Sequence, residues 1–190
     1  MQVTSSVGKT GRLVRGKAGL VVVDVQERLL PAIFDGEPLL RNVVRLIKAA
    51  VILRLPVLLT EQYRKGVGAT VPAVAAAIPD FAPMEKLAFS CFGASGFEEA
   101  LLARQVSDVV LCGIEAHVCV LQTCFDLLDR GFRPFVVADA ISSRAAGNHE
   151  LGVSRMRDAG AIIVSTEMIL FELLERAGTE EFKQVLALVK

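Results

Sequence analysis

The segment GLVVVD, at residues 19–24, is a run of apolar residues that ends in a carboxylate. Four further apolar runs follow along the chain, and stretches with helical spacing separate them. They are PVLLT at 56–60, DVVLCGI at 108–114, RPFVVA at 133–138 and AIIVS at 161–165. Strands that are apolar throughout, each followed by a helix, are typical of a parallel sheet covered on both faces. The pattern therefore predicts an α/β fold of three layers, α/β/α, with a central parallel sheet of five strands.

The stretches between these runs predict helices from the spacing of their apolar residues and from their terminal signals. The predicted helices cover residues 38–54, 96–105 with Ser95 as N-cap, 117–130 ended by Gly131, and 148–159 ended by Gly160, with one or two more at the end of the chain. No repeat or low-complexity linker divides the sequence. We therefore expect one domain, at residues 18–190, after an N-terminal tail at residues 1–17.

The composition is that of a well-buried globular protein. Of 190 residues, 53% are hydrophobic, and 21 basic residues balance 21 acidic ones, so that the formal net charge is +0. A balanced chain has no global field that would attract nucleic acid or an anionic membrane surface. We therefore expect a small-molecule substrate rather than either of those partners. The low net charge also favours self-association into a homo-oligomer.

The predicted tail contains Lys9, Arg12, Arg15 and Lys17 and no acidic residue. Such a segment is typical of a solvated tail, and alternatively of a weak organelle-targeting sequence. The apolar segment of a secretory signal is missing, and no apolar run is long enough to span a bilayer. The four cysteines are therefore expected to be reduced thiols in a cytoplasmic protein.

The motifs of several common ligand sites are incomplete or absent in this sequence. VTSSVGKT, at residues 3–10, ends like a phosphate-binding P-loop, but it has Val3 where the motif needs Gly, and no strand precedes it. No G-x-G-x-x-G follows a strand, so dinucleotide binding is not supported. The two histidines, His117 and His149, are far apart, and no cysteine pair has the spacing of a zinc site. The sequence therefore predicts neither a cofactor nor a metal.

Three polar residues fall near the carboxyl ends of the predicted strands, where parallel sheets bind their ligands. Asp24 ends the first strand, Cys119 follows the third strand close to a helix start, and Lys86 lies between the second and third strands. Each has an ordinary interpretation by itself: an Asp that caps a turn, a Cys that packs as a small apolar residue, and a Lys that is solvated.

Together the three residues fit a nucleophilic mechanism. A thiol is a strong nucleophile as its thiolate, which a helix N-terminus and a nearby cation stabilise. Cys119 has the first from its position, and Lys86 is the candidate for the second. Asp24 can take the thiol proton and later return it to a leaving amine. Backbone N–H groups in the turn before Cys119 can hold a developing oxyanion.

The residues of this set occur in a characteristic order. The sequence has D-x-Q at 24–26, then Lys86 followed by FSCF, then GIEAHVC ending at Cys119, then DAISSR at 139–144. This ordered set resembles the isochorismatase-like cysteine hydrolases, and within them the isochorismatase domain-containing proteins. The resemblance implies the Rossmann-like topology of that family. It also implies a nucleophile at Cys119, a base at Asp24 and a stabilising lysine at Lys86.

The resemblance has a further implication and three departures. It implies a cis peptide bond between Ile114 and Glu115, which turns the N–H groups of Glu115 and Cys119 toward one point as an oxyanion hole. Nicotinamidases of the family bind a metal through histidines after the second strand, whereas EQY stands here at residues 61–63. The usual Thr three residues before the nucleophile is Ala116. True isochorismatases lack the nucleophilic cysteine, so the family name does not give the substrate.

Four more residues are candidates for a substrate pocket, and each has a structural alternative. Gln26 either hydrogen-bonds within the site or braces the loop after Asp24. His117, two residues before the nucleophile, either faces the pocket or has a structural role. Tyr63 and Phe92 either wall a small pocket or belong to the core.

The sequence thus predicts an enzyme that cleaves the carbon–nitrogen bond of a small amide through a thioester at Cys119. The alternative is a family member that keeps the fold but acts as an interaction or assembly module. A third interpretation, a thiol redox sensor, is weakened because no second cysteine lies at C-x-x-C spacing from Cys119. The intact set of Asp24, Lys86 and Cys119 favours the enzyme, because random loss would have removed one of the three.

Overall fold

A computed structural model describes residues 11–190 of the chain. Its centre is one parallel sheet of six strands in the order β3-β2-β1-β4-β5-β6. The strands are β1 (Ala18–Val23), β2 (Val57–Gln62), β3 (Met84–Lys86), β4 (Asp108–Ile114), β5 (Arg133–Ser142) and β6 (Ile162–Val164). The predicted α/β fold with a central parallel sheet is confirmed.

Helices cover both faces of the sheet, which explains why its central strands are apolar throughout. They are α1 (Gly36–Ile52), α2 (Arg64–Val67), α3 (Pro72–Ala75), α4 (Phe97–Ala103), α5 (Leu121–Asp129), α6 (Ala146–Asp158), α7 (Thr166–Leu174) and α8 (Glu180–Val189). Successive residues of β1 point to opposite faces. Leu20 and Val22 pack in a core with α1, α3, α7 and α8, whereas Val21 and Val23 pack in a second core with α4, α5 and α6. The sheet is therefore the middle of three layers.

The structure has one strand more than the five predicted. The additional strand, β3, has only three residues and pairs on one side with β2, where Gln62 is the partner of Lys86. The segment was predicted as a connection because MEK has no apolar run. Its pairing matters for function, because it brings Lys86 to the carboxyl edge of the sheet.

Two helix starts also differ from prediction in their backbone conformation. The helix predicted at 117–130 begins as a turn of π-helix, Ala116–Val120, and continues as α5. The N-cap of α4 is Gly96, in the left-handed region with φ 79°, rather than Ser95. The predicted stop at Gly131 agrees with its φ of 81°, which favours glycine after a helix end.

Part of the predicted tail is packed against the domain. Leu13 is buried, and its backbone N–H donates to a carboxylate oxygen of Glu172 at 3.0 Å. The N–H of Val14 donates to Asp108 Oδ2 at 2.8 Å. The remaining part of the predicted tail, with Lys9 and the rejected P-loop, lies outside the described residues. Along residues 11–190, no helix combines the length and the apolar character needed to cross a membrane.

Candidate active site

The carboxyl ends of four neighbouring strands meet on one side of the sheet, and the three predicted catalytic residues lie there. Asp24 follows β1, Lys86 ends β3, and Cys119 lies in the π-helical turn after β4. Because β2 lies between β1 and β3, its last residues also face this site. Asp24 and Lys86 form a buried ion pair, and the Cys119 thiol is close enough to be influenced by both charges.

Asp24 is held by a hydrogen bond at each carboxylate oxygen. Oδ1 accepts a hydrogen bond from the Thr60 hydroxyl at 2.7 Å, and Oδ2 accepts one from Lys86 Nζ at 2.6 Å. The residue is completely buried, and its φ of 51° turns the chain away from the end of β1. Its backbone N–H still donates to the carbonyl oxygen of Thr60 at 3.2 Å. The carboxylate therefore has one fixed orientation.

Lys86 is enclosed by acceptors, and its side chain has no solvent exposure. Besides Asp24, its ammonium donates to Gln62 Oε1 at 2.8 Å and to the carbonyl oxygens of Phe89 at 2.9 Å and Ala88 at 3.3 Å. A buried charge is tolerated when it is both paired and hydrogen-bonded. Lys86 meets both conditions, so it supplies a fixed positive charge beside Asp24.

The surroundings of Cys119 oppose ionisation of its thiol. Burial raises the pKa of this thiol, the negative charge of Asp24 raises it further, and the positive charge of Lys86 partly offsets the increase. The pKa of Cys119 thus lies above its ordinary value despite the expected effect of Lys86, and removal of the thiol proton by Asp24 stays a prediction.

A second thiol lies in the same region. Cys91 Sγ is 3.5 Å from Thr60 Oγ1, the hydroxyl that also bonds Asp24. Burial raises the pKa of Cys91 to about 11, and the charge of Asp24 contributes to the increase. Cys91 is completely buried in the core on the side of α4, α5 and α6, so it combines apolar packing with this one polar contact. Burial also raises the pKa of Cys124, to about 12, and that of Cys112.

The chain between β4 and Cys119 is shaped by close backbone contacts. At Gly113, with φ 115°, an added Cβ would lie 2.1 Å from the carbonyl oxygen of Val23, so only glycine fits. The peptide bond between Ile114 and Glu115 is cis. The Glu115 carboxylate accepts hydrogen bonds from Arg144, from its backbone N–H at 2.9 Å and from Nε at 3.1 Å. These contacts fix the segment that leads to Cys119.

The contacts of the four predicted pocket residues show which of them have structural roles. Gln26 is completely buried, and its carboxamide bonds the backbone of Gln62 and Gly68, as expected of a brace. His117 Nδ1 is 2.9 Å from the hydroxyl oxygen of Ser143. Tyr63 is half-exposed and lines a cleft of about 580 Å³ together with residues 85–88.

Phe92 belongs to a packing cluster. Its ring meets the rings of Phe97 at 5.1 Å and Phe132 at 6.3 Å, and the Arg130 guanidinium lies over it at 4.2 Å from the centroid. These contacts support the core alternative for Phe92 rather than a pocket wall.

Sequence reasoning missed Thr60 and Gln62, which bond Asp24 and Lys86 respectively. Both lie in the polar end of β2, at the sheet edge where ligands bind, and this position was a signal that could have identified them. The segment was considered only for its lack of histidines. Within residues 11–190, no three His, Cys, Asp or Glu residues are grouped so that they could hold a metal ion.

Comparison with known proteins shows the same fold and extensive sequence similarity. The family model for the isochorismatase domain matches residues 18–168. Isochorismatase domain-containing protein 2 of Danio rerio is 38% identical over 175 residues, covering 92% of this chain and 88% of that protein. The structure of MAR1 ribonuclease from Caenorhabditis elegans has a TM-score of 0.88 and 37% identity, with coverage of 94% and 92%. YcaC from Pseudomonas aeruginosa, solved with hexane-2,5-diol and covalent acrylamide, has a TM-score of 0.87 and 26% identity, with coverage of 95% and 93%.

Proposed function

Because the chain belongs to the isochorismatase family, we propose that it is a cysteine hydrolase that cleaves a carbon–nitrogen bond of a small amide. The observation that carries this proposal is the buried ion pair of Asp24 and Lys86 beside the Cys119 thiol. Two buried charges next to a cysteine are costly for folding alone, and such perturbed sites cluster where catalysis occurs. An amide suits this site because its leaving nitrogen needs a proton, and Asp24 can return the one that it takes from Cys119.

In the first half-reaction, Asp24 takes the proton from Cys119 as sulfur attacks the amide carbon. A carbon–sulfur bond forms, and the carbonyl π electrons move to oxygen. The backbone N–H groups of Glu115 and Cys119 stabilise this oxyanion. When the intermediate collapses, the carbon–nitrogen bond breaks, nitrogen receives the proton held by Asp24, and a thioester remains on Cys119.

In the second half-reaction, water replaces the amine. Asp24 takes a proton from water, and the resulting oxygen nucleophile attacks the thioester carbon. Collapse breaks the carbon–sulfur bond, and the proton returns to Cys119, so that the products are a carboxylic acid and the restored thiol. Lys86 remains an ammonium throughout and balances the charge of the carboxylate whenever Asp24 is ionised.

Two features support a nucleophilic thiol that is activated only during reaction. Burial and the Asp24 charge raise the pKa of Cys119, so the proposal assigns removal of the thiol proton to Asp24 as sulfur attacks. The related YcaC structure from Pseudomonas aeruginosa contains covalent acrylamide. Acrylamide is an electrophile toward thiols, and the same reagent is a suitable probe for Cys119 here.

The test is ammonia release from a panel of primary amides, ureides and carbamoyl compounds, with the mass of the intact protein measured for an acyl-enzyme. We expect turnover of at least one compound, complete loss in Cys119→Ala, and retained turnover in Cys124→Ala, which removes another buried thiol. Ammonia release that survives Cys119→Ala would refute the nucleophile. An RNA oligonucleotide belongs in the panel because a related structure is named a ribonuclease. Failure with the whole panel would favour the interaction-module alternative.

We also propose that the chain forms a homo-oligomer in the cytoplasm. Exposed apolar side chains border the site, among them Leu87 with 75% exposure and Phe89 with 52%. Burial of such side chains favours association. The four cysteines are free, which fits a reducing compartment. Light scattering after size exclusion gives the molar mass, and cell imaging of a tagged chain gives the compartment.

A further inference from the structure

The position of Lys86 depends on a side chain outside the predicted catalytic set. An ammonium group has three N–H donors. The three shortest contacts of Lys86 are with Asp24 at 2.6 Å, Gln62 at 2.8 Å and the Phe89 carbonyl at 2.9 Å. Asp24 and Gln62 are the two side chains among these acceptors. The Lys86 ammonium therefore bonds two side chains, the proposed base Asp24 and the carboxamide of Gln62.

The Gln62 carboxamide is fixed at both ends. Its Oε1 accepts from Lys86, and its Nε2 donates to the carbonyl oxygen of Leu87 at 2.9 Å. Lys86 can only donate and a carbonyl can only accept, so these neighbours set the orientation of the amide without ambiguity. A rotation of Gln62 would place an N–H group against the ammonium.

The backbone of Gln62 is fixed in turn by Gln26. The Gln62 N–H donates to Gln26 Oε1 at 2.7 Å, and Gln26 Nε2 donates back to the Gln62 carbonyl at 3.0 Å. Gln26 Nε2 also donates to the carbonyl of Gly68 at 2.6 Å. The pairing of β2 with β1 ends at Thr60. The two hydrogen bonds between Gln26 and the Gln62 backbone therefore hold β2 where β1 no longer pairs with it. The chain of contacts thus runs from Gln26 through Gln62 to Lys86.

We propose that Gln62 is a positioning residue that holds the Lys86 ammonium against Asp24, and that Gln26 holds Gln62 in place for this task. The inference rests on the proposed function, because its consequence is expressed at Cys119. Without the Gln62 oxygen, the ammonium keeps its carbonyl acceptors at residues 88 and 89 and shifts toward them. The positive charge that offsets the effects of burial and of Asp24 on Cys119 then moves away.

The experiment measures how fast iodoacetamide alkylates Cys119, by peptide mapping, across neutral to alkaline pH. This readout needs no substrate. Because Lys86 lowers the pKa of Cys119, Lys86→Met should slow alkylation and move its pH profile to higher pH. Gln62→Leu should act in the same direction, by about threefold at neutral pH for each unit by which the pKa of Cys119 rises. Gln184→Leu, an exposed glutamine of α8, is the matched control and should react as the parent protein.

The double variant gives the decisive comparison. A residue that acts only through Lys86 has no effect once Lys86 is gone, so Lys86→Met with Gln62→Leu should react as slowly as Lys86→Met alone. Equal slowing by Gln62→Leu in both backgrounds would overturn the positioning role and leave the proposed function intact. No slowing by Lys86→Met would remove Lys86 from the proposed mechanism and the positioning role with it. If Gln62→Leu does not fold, Gln62→Asn keeps the amide but shortens it, and the same outcomes apply.

Discussion

Replacing Asp24 by Asn should slow hydrolysis and accelerate alkylation of Cys119, two effects of opposite sign. Asn keeps an oxygen for Lys86 and has the shape of Asp, but it carries no charge and cannot act as a base. Loss of a general base typically lowers turnover by about 10²- to 10⁴-fold. The Asp24 charge raises the pKa of Cys119, so its removal lowers that pKa and increases the thiolate fraction at a given pH.

The gain in alkylation can be estimated from thiol chemistry. Each unit by which the pKa falls gives about tenfold more thiolate below the pKa, but a less basic thiolate is also a weaker nucleophile. The net gain is about threefold per unit for iodoacetamide. Ammonia release and peptide mapping on the same preparation measure both rates. A fall in both rates, or an unchanged rate of hydrolysis, would refute Asp24 as the base beside Cys119.

Stability must be followed in the same experiment, because the Asp24→Asn substitution leaves the Lys86 charge without a counter-charge. Breaking a buried pair costs about 3–5 kcal/mol, which lowers Tm by on the order of 10 °C in a chain of this size. Asp108→Asn is the matched control. Asp108 is also completely buried and paired with an arginine, Arg133, but it lies at the start of β4, at the other end of the sheet. This control variant should lose stability without any change in Cys119 chemistry.

Four further outcomes are expected. Alkylation should label Cys119 before Cys91, and the rate of alkylation should rise at alkaline pH because burial raises the pKa of both thiols. Peptide mapping at several pH values shows the order, and earlier labelling of Cys91 would contradict it. Chelator treatment should leave amide hydrolysis unchanged, since the donors at residues 61–63 include no histidine; a metal bound in stoichiometric amount with dependent activity would contradict this. Thr60→Val should lower turnover by roughly 10- to 100-fold through loss of one hydrogen bond to a carboxylate, whereas Thr179→Val, which removes the N-cap of α8, should affect only stability. Gly113→Ala should prevent folding, because the added Cβ would lie 2.1 Å from the carbonyl oxygen of Val23. Gly147→Ala, where an added Cβ meets no atom within 4 Å, should fold normally. Far-ultraviolet circular dichroism distinguishes the two outcomes.

The central strands were predictable because their environment is uniform along their length. β4 is buried at every position, and its bounds, Asp108–Ile114, agree with the apolar run in the sequence. Burial on both faces leaves a continuous hydrophobic signal. β3 could not be found in this way, because it is short, lies at the sheet edge and contains an exposed glutamate, Glu85. Edge strands pair on one side only, so their sequences resemble loops.

The site was predictable in its residue types but only partly in its geometry. Asp24 and Cys119 follow central strands, so the rule for ligand binding at the carboxyl edge of a sheet locates them. The location of Lys86 depends on the pairing of β3 with β2, a long-range contact that no local pattern reveals. The proximity of Cys91 to Thr60 likewise depends on how a turn after β3 packs against β2. These contacts are set by tertiary packing rather than by propensity.

The geometry also changes the role of Lys86 that follows from sequence alone. A lysine near a cysteine suggests a cation that stabilises the thiolate, but the pKa of Cys119 is raised despite Lys86 because burial has the larger effect. The three shortest hydrogen bonds of the ammonium go to Asp24, Gln62 and Phe89, so its donors are used within the protein. We therefore expect Lys86 to act mainly on the Asp24 carboxylate, which is as fully buried as the ammonium. In the proposed mechanism, a base held in this way needs no reorientation when the thiol proton is transferred, and this pre-organisation is the form of assistance that a fixed charge can give to catalysis.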